Sequence, residues 1–440
     1  MRRVVLSPLR LLPLLALLFC TSLALAAGPL TPALSPQAQQ GRDLAKKAQC
    51  NRCHDFGAAL APAKKALHCV NCHNWILDTK GHPDQIAKQR KGYPDWDRYL
   101  ENVNHFTRLP VLTTLTRRVR PSYVRHFLDA PRDLRPHLDE SMIPLRLTPA
   151  DKDAIVAWLV ELAGPNVVPE EPLPPAPSAA RIEAGRSVFM TRGCPMCHVL
   201  GNIRFQPGMD AAFFKAVGET AKLAPNLRFA RERVPRSVFV RYVQDPQAVD
   251  PSVTMPKLGV TPDEAEKLAD FVLYVNPELP PGPAAADVKA PTVPALTRRV
   301  TYDEVYDEVF GRVCIHCHMN PKTNAGEGGA GNTGGLTYAG RRLNLEQYAG
   351  FKQGAFRDGK WVDILKPQAN GAPPLLLEVL LQRHREGTRD QRAAFADSAG
   401  EGVAPNPDAP GMPLGLPAIS VAQLSLIKTW LDEGAPGPEE

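Results

Sequence analysis

Beyond residue 26, the chain has no apolar run of about 18 or more residues, the length that a membrane-spanning helix requires. We therefore expect the mature chain to have no transmembrane span. A strong charge imbalance is also absent, because the formal net charge of the 440 residues is only +6. Three of the positive charges, Arg2, Arg3 and Arg10, lie in the N-terminal segment. Such a small surplus is no argument for a nucleic acid or an anionic membrane surface as a partner, and we expect no nucleic-acid partner.

The sequence also lacks the usual patterns of an enzyme active site. No nucleophile is paired with a base, and no pair of carboxylates stands out. The glycine-rich stretch 326–335 lacks the Lys-Ser/Thr ending and the preceding strand of a phosphate-binding loop, so we predict a flexible surface loop there. We therefore assign no catalytic residue from these patterns.

The first 26 residues have the composition of a secretory signal peptide. A basic start is followed by an apolar run over residues 11–25, and Ala24 and Ala26 supply the small residues of a cleavage site. Cys20 lies inside this run and would be removed with it. Bulky Phe19 argues against a lipoprotein signal at Cys20. We expect export to the periplasm, with residues 1–26 removed.

Apart from Cys20, no cysteine lies outside one repeated pattern, Cys-x-x-Cys-His. This pattern is the attachment signature of c-type haem: two thiols bond to the haem vinyl groups, and the adjoining histidine becomes the proximal iron ligand. We therefore predict four covalently bound haem c groups. The predicted attachment residues are Cys50, Cys53, Cys69, Cys72, Cys194, Cys197, Cys314 and Cys317, and the predicted proximal ligands are His54, His73, His198 and His318.

Zinc binding and disulfide or redox pairing are the alternatives for these cysteines. Cys53 and Cys69 are separated by fifteen residues, a spacing that also suits a zinc ribbon. Neither alternative explains why a histidine follows every second cysteine. Zinc would also leave the copies at Cys194 and Cys314 without partner pairs. In an exported protein eight free thiols are prone to oxidation, which thioether bonds to haem prevent.

Two proline-rich stretches, about 164–178 and 277–294, divide the chain into segments 36–166, 181–277 and 297–437. Several segments are expected because 440 residues exceed what one core usually supports. Each segment carries a short helical stretch before a haem motif and a closing amphipathic helix. The predicted helix caps are Thr148, Thr261 and Ser420; the aromatic residues ten positions later are Trp158, Phe271 and Trp430; the methionines upstream are Met142, Met255 and Met412.

This arrangement resembles that of class I c-type cytochromes, small helical domains that each wrap one haem. The middle segment matches best: residues 224–227 resemble the family's proximal loop, and residues 254–258 resemble its methionine loop. The outer segments match at their two ends, with methionine loops at 141–145 and 411–414. The resemblance implies a mostly α fold of three tandem cytochrome c-like helical domains joined by Pro-rich linkers. The first of these domains would hold two haems.

The resemblance also implies methionine as the sixth ligand of three haems. It pairs His198 with Met255, ahead of the competing Met190, Met196 and Met209. His318 is paired with Met412, because His316 lies within the attachment loop and points away from that haem; His384 is a weaker alternative. His54 is paired with Met142, although a pairing of His73 with Met142 stays open.

The second haem, at Cys69 and Cys72, has no methionine loop of its own and resembles an insertion. We predict His105 as its sixth ligand, since the helical stretch before it could carry His105 over the haem. The other candidates are His82, His126, His68 and His137, and an open sixth position is a further alternative.

The arginines at 117, 118, 120 and 125 could bind haem propionates, but a solvated helix face is the favoured interpretation. Taken together, the sequence predicts a periplasmic tetrahaem cytochrome that transfers electrons between redox proteins or to a respiratory complex. The alternatives are the cytochrome subunit of a dehydrogenase or respiratory complex, and a haem enzyme acting at the second haem.

Overall fold

A computed structural model of the chain describes residues 33–61, 68–94, 96–129, 131, 134–138, 140–201, 203, 219–276, 289–322, 329–386 and 410–438. The predicted signal peptide, Cys20, Met209 and part of the glycine-rich stretch lie outside the described residues. Most of the second proline-rich stretch lies outside them too.

The described chain is mostly helical, which confirms the predicted fold class at that level. Short 3₁₀ turns and a π turn over Tyr306–Phe310 supplement the α-helices. The α-helices are α1 Pro36–Lys47, α2 Cys69–Asp78, α3 Pro83–Gly92, α4 Trp96–Asn102, α5 Pro121–Asp129, α6 Pro149–Ala163, α7 Ala179–Thr191, α8 Ala230–Arg233, α9 Arg236–Gln244, α10 Pro246–Val249, α11 Pro262–Val272, α12 Tyr302–Val305, α13 Ala330–Thr333, α14 Tyr348–Gln353, α15 Leu375–Arg385 and α16 Val421–Asp432.

Strand structure is limited, within the described ranges, to one hairpin and one isolated bridge. Strands β1 Ala355–Arg357 and β2 Lys360–Val362 pair antiparallel, with Phe356 opposite Trp361. Gly359 takes φ +82° in the turn between them, a left-handed conformation that glycine adopts without strain. None of the described helices combines the length and apolarity that crossing a membrane requires.

The three predicted helix caps are confirmed. The side chains of Thr148, Thr261 and Ser420 each accept a hydrogen bond from the backbone N–H three residues on, and the side chain at that position accepts one from the backbone N–H of the cap residue. Each closing helix buries its aromatic residue almost completely: Trp158 at 1%, Phe271 at 2% and Trp430 at 0% exposure. These aromatics are therefore core residues.

Three hydrophobic clusters form the core, and each is drawn from one stretch of chain. The first lies between Ala38 and Leu159, the second between Phe189 and Leu273, and the third between Val300 and Ala435. In the first two clusters, the helix before the haem motif crosses the closing helix: α1 packs on α6, and α7 packs on α11. The helices thereby hold the start of each haem motif against a buried core.

Candidate functional site

One continuous cavity of about 2390 Å³ runs between the three hydrophobic clusters. Pockets for a single small ligand usually measure about 300–1,000 Å³, so this cavity has room for several ligands. Every residue predicted to attach or ligate a haem lines it: the eight motif cysteines, His54, His73, His198, His318, Met142, Met255, Met412 and His105.

Three of the four haem motifs share one backbone geometry. Their first cysteines open 3₁₀ turns over Cys50–Arg52, Cys194–Met196 and Cys314–His316. In each, the N–H of the motif histidine donates to the carbonyl of the first cysteine at 2.9–3.0 Å. The two thiols and the imidazole therefore project from the backbone in the same arrangement at these three motifs.

The second motif differs, because Cys69 begins the α-helix α2 and no 3₁₀ turn forms there. The side chain of His68 caps this helix by accepting from the N–H of Asn71 at 3.3 Å. Cys69 and Cys72 belong to none of the three hydrophobic clusters, whereas Cys50, Cys194 and Cys314 each pack against one. The motif that stood apart in the sequence is thus distinct in structure as well.

Three motif histidines present one ring nitrogen to a backbone carbonyl. Nδ1 lies 3.1 Å from the Pro110 oxygen in His54, 2.6 Å from the His105 oxygen in His73 and 2.9 Å from the Pro225 oxygen in His198. Such a bond fixes the proton on Nδ1 and leaves Nε2 as a lone-pair donor, the second-shell pattern of metal-ligating histidines.

Burial keeps these imidazoles in the neutral form that can ligate a metal. It lowers the pKa of His54 to about 4, despite the opposing hydrogen bond to Pro110. Burial likewise lowers the pKa of His73, His198 and His318. At neutral pH each ring is therefore uncharged and available for coordination.

His318 is held differently from the other three. Burial is the main influence on its pKa and lowers it, while the neighbouring Asn332 side chain opposes that shift. A Cβ at Gly331 would lie 2.8 Å from Cε1 of His318, so this glycine allows the backbone of α13 to approach the ring. Asn332 also donates to the Met319 and Leu343 carbonyls, both at 2.6 Å.

Two of the three predicted methionine ligands share a core with the motif they were paired with. Met142 packs against the same cluster as Cys50, and Met412 against the same cluster as Cys314. The Met255 loop is held by Gln247, whose Nε2 donates to the Met255 carbonyl at 2.6 Å. The competing Met190 and Met196 are 38% and 48% exposed. Nε2 of His384 donates to the Ile419 carbonyl oxygen, 2.9 Å away, and the residue does not line the cavity.

The first, second and fourth motifs meet at their cysteines. The sulfur atoms of Cys53 and Cys69 lie 4.0 Å apart. The hydrogen bond between these two thiols raises the pKa of Cys53, and burial and the nearby Cys317 add to that shift. The same hydrogen bond lowers the pKa of Cys69. Burial raises the pKa of Cys317 to about 11, and repulsion from Cys69 adds to the shift. Three predicted attachment sites therefore converge on one region of the cavity.

His105 contacts the second motif through its backbone, while its side chain points to Glu140. Nδ1 of His105 is 3.6 Å from a carboxylate oxygen of Glu140, and the other oxygen accepts from the Phe106 N–H at 3.0 Å. Glu140 is 8% exposed. The predicted sixth ligand is therefore part of the loop that holds Nδ1 of His73.

His316 projects into the cavity from the attachment loop of the fourth motif. Its ring lies edge-on to Tyr99 of α4, with 6.4 Å between the ring centroids. Burial within the protein lowers the pKa of His316, and repulsion from His73 lowers it further. No sequence pattern predicts that these two histidines lie near each other, because 242 residues separate them.

The arginine run does not form a solvated helix face, so that interpretation is wrong for Arg118 and Arg120. Nε of Arg118 donates to Asp250 at 2.6 Å, and its side chain is only 16% exposed. Arg120 donates to the carbonyls of Arg231 and Glu171. These arginines connect the first stretch of the chain to the second.

The donor set fits haem. The cavity supplies paired thiols, neutral imidazoles and thioether sulfurs, which are the groups that attach and ligate c-type haem. A zinc ribbon would need four ligands around one point. Over the described ranges no group of three or more His, Cys, Asp or Glu side chains is arranged in that way.

Comparison with known proteins gives no relative: no protein-family model, curated protein or solved structure matches this chain.

Proposed function

We propose that this chain is a periplasmic tetrahaem c-type cytochrome that transfers electrons between redox partners. Its mature part would comprise three tandem cytochrome c-like domains, 36–166, 181–277 and 297–437, joined by Pro-rich linkers. The first domain would hold two haems. The observation that carries this proposal is the shared cavity, into which all four Cys-x-x-Cys-His motifs and the three methionine loops project.

The residues of the chain have separable roles in this function. Paired cysteines would attach each haem, and the motif histidines would bind iron through Nε2 while carbonyls such as that of Pro110 hold Nδ1. Met142, Met255 and Met412 would complete three sites, and such ligation would raise their potentials and close them to substrate. Haem supplies the redox chemistry when bound, and the protein supplies position and environment.

The convergence of three motifs supports electron transfer rather than catalysis as the main activity. Cys53, Cys69 and Cys317 lie together, so the haems attached there would be neighbours. Other redox proteins or a respiratory complex would be the partners at either end of the chain of haems.

The first experiment is a haem count on the purified, exported protein. Intact mass should equal the chain without residues 1–26 plus four haems, and denaturation in acid should not release them. Replacing both Cys194 and Cys197 with serine should lower the count by one. A colourless protein that holds stoichiometric zinc would refute the proposal.

A further inference from the structure

The sixth ligand of the second haem can be sought among a small set of side chains, because all eleven histidines fall within the described residues. Six of them line the cavity: the four motif histidines, His105 and His316. The remaining candidates from the sequence, His68, His82, His126 and His137, do not line it. His105 and His316 are therefore the two histidines left for the position opposite His73.

His105 lies on the wrong side of the His73 ring for this role. Its carbonyl oxygen is 2.6 Å from Nδ1 of His73. Nδ1 and Nε2 occupy opposite edges of an imidazole, so a residue that contacts Nδ1 lies away from the atom that would bind iron. The His105 side chain also points to Glu140. His105 thus orients the proximal histidine.

His316 belongs to the third stretch of the chain and reaches the region of the cavity around His73. Helix α4, which follows the second motif, packs against the stretch before His316: Arg98 pairs with Asp307, and Arg312 donates to Asn102 at 3.4 Å. These contacts bring the His316 ring to Tyr99 and make it an electrostatic neighbour of His73.

The His316 side chain is poised to coordinate. Its ring is solvent-accessible although protein surrounds it, because it faces the cavity. The fourth haem already has His318 and Met412 to flank its iron. The ring of His316 therefore has no assigned role at its own motif.

We propose that His316 is the sixth ligand of the haem attached at Cys69 and Cys72, opposite His73. This inference rests on the proposed function, because it requires that haem to be present. It makes the second site a bis-histidine haem, closed to substrate and lower in potential than the three His/Met sites. It also links the second haem to the fourth, since His316 is bonded to Cys317.

The test uses the holoprotein and two matched variants, His316→Ala and His105→Ala. Low-temperature electron paramagnetic resonance should show one bis-histidine haem and three His/Met haems in the unmodified protein. His316→Ala should convert that one haem to a high-spin form, and added imidazole should restore the low-spin signal. His105→Ala should keep the bis-histidine signal.

A haem count on each variant separates the two proposals. Fewer than four haems in the unmodified protein would refute the proposed function, whereas four haems with an unchanged low-spin signal in His316→Ala would refute only the assignment of His316. Loss of the bis-histidine signal in His105→Ala alone would also refute it.

A second variant covers the case in which His316→Ala fails to fold. His316→Met keeps a ligand at the position, so the second haem should stay low-spin but change from bis-histidine to His/Met character, with a raised potential. An unchanged potential and an unchanged signal in a four-haem His316→Met protein would contradict the assignment.

Discussion

At the scale of single residues, the haem motifs are supported by carbonyl groups that the motif itself does not contain. Pro110, His105 and Pro225 each place a carbonyl oxygen within 3.1 Å of Nδ1 of a motif histidine. These residues lie 27 to 56 positions from their histidines. Their role depends on backbone position, and only for Pro225 did the sequence offer a signal, through the resemblance of residues 224–227 to a proximal loop.

The ligand assignment of the middle haem can be tested by replacing Met255. Met255→Ala should convert one of the four haems to a five-coordinate or water-bound form and lower its potential, because thioether ligation raises the potential. Optical spectra and a redox titration would measure both effects. Met196→Ala is the matched control, since Met196 is 48% exposed and does not line the cavity. Identical spectra and potentials in the two variants would mean that Met255 is not the ligand.

Every haem-binding residue predicted from the sequence lines the cavity, whereas the proposed role of His316 has no signal in the sequence, for a physical reason. A Cys-x-x-Cys-His motif is local, so its five consecutive residues determine which side chains project from the backbone side by side. The proximity of His316 to His73 depends on how helix α4 packs against a distant stretch of the chain. Short-range patterns carry no information about such packing.

At the scale of secondary structure, two glycines determine how closely the paired helices can cross. A Cβ at Gly41 would lie 1.9 Å from the Ala154 oxygen, and a Cβ at Gly185 would lie 1.9 Å from the Lys267 oxygen. Both glycines precede the first cysteine of their motif by nine residues. This shared spacing was present in the sequence, and it marks the crossing of α1 with α6 and of α7 with α11. The corresponding position of the third stretch is Val305, which is fully buried.

Gly185→Ala should therefore destabilise the protein, even though alanine is the better helix former. The added methyl group must push the Lys267 backbone away, and overpacking of this kind usually costs about 1–3 kcal/mol. Gly92→Ala is the control, because it also lies in a helix but a Cβ there has no neighbour within 4 Å. Gly92→Ala should be neutral or stabilising by up to about 1 kcal/mol. Urea unfolding followed by circular dichroism compares them, and equal midpoints would contradict the crossing argument.

At the scale of the whole molecule, the first stretch of chain contacts both of the others. Asp250 accepts from Arg118 and from Thr114, which joins the first stretch to the second. The Ala48 carbonyl accepts from the Leu336 N–H at 2.9 Å, which joins it to the third. The proline-rich stretch after residue 166 also contacts the first stretch of the chain, because the Val168 N–H donates to the Thr116 carbonyl at 2.8 Å.

Composition and repeats predict segment boundaries and helix caps, of which the caps are confirmed, but they do not predict this packing. Linker residues and helix caps have local signatures, whereas the pairing of Arg118 with Asp250 joins positions 132 residues apart. For this reason the sequence pattern favours a solvated face for the arginine run, whereas the fold buries Arg118 against Asp250. A run of like charges is compatible with solvent or with a partner surface, and only the fold distinguishes the two.

The closeness of Cys53 and Cys69 also bears on how the protein is assembled. Cys69 begins a helix, has a lowered pKa and lies 4.0 Å from the Cys53 sulfur, so it is the thiol most ready to attack as a thiolate. In the haem-free chain, attack on a disulfide oxidant followed by exchange with Cys53 would form a bond between two different motifs. If the motifs attach haem as proposed, that single cross-link would disable two attachment sites, and maturation would require a thiol reductant until haem is bound.

Brief treatment of the haem-free chain with oxidised glutathione should thus produce a peptide pair joined at Cys53 and Cys69. Peptide mass spectrometry would detect this pair, and Cys69→Ser should abolish it. If the disulfides form only inside the individual motifs, the order of assembly is not governed by this contact.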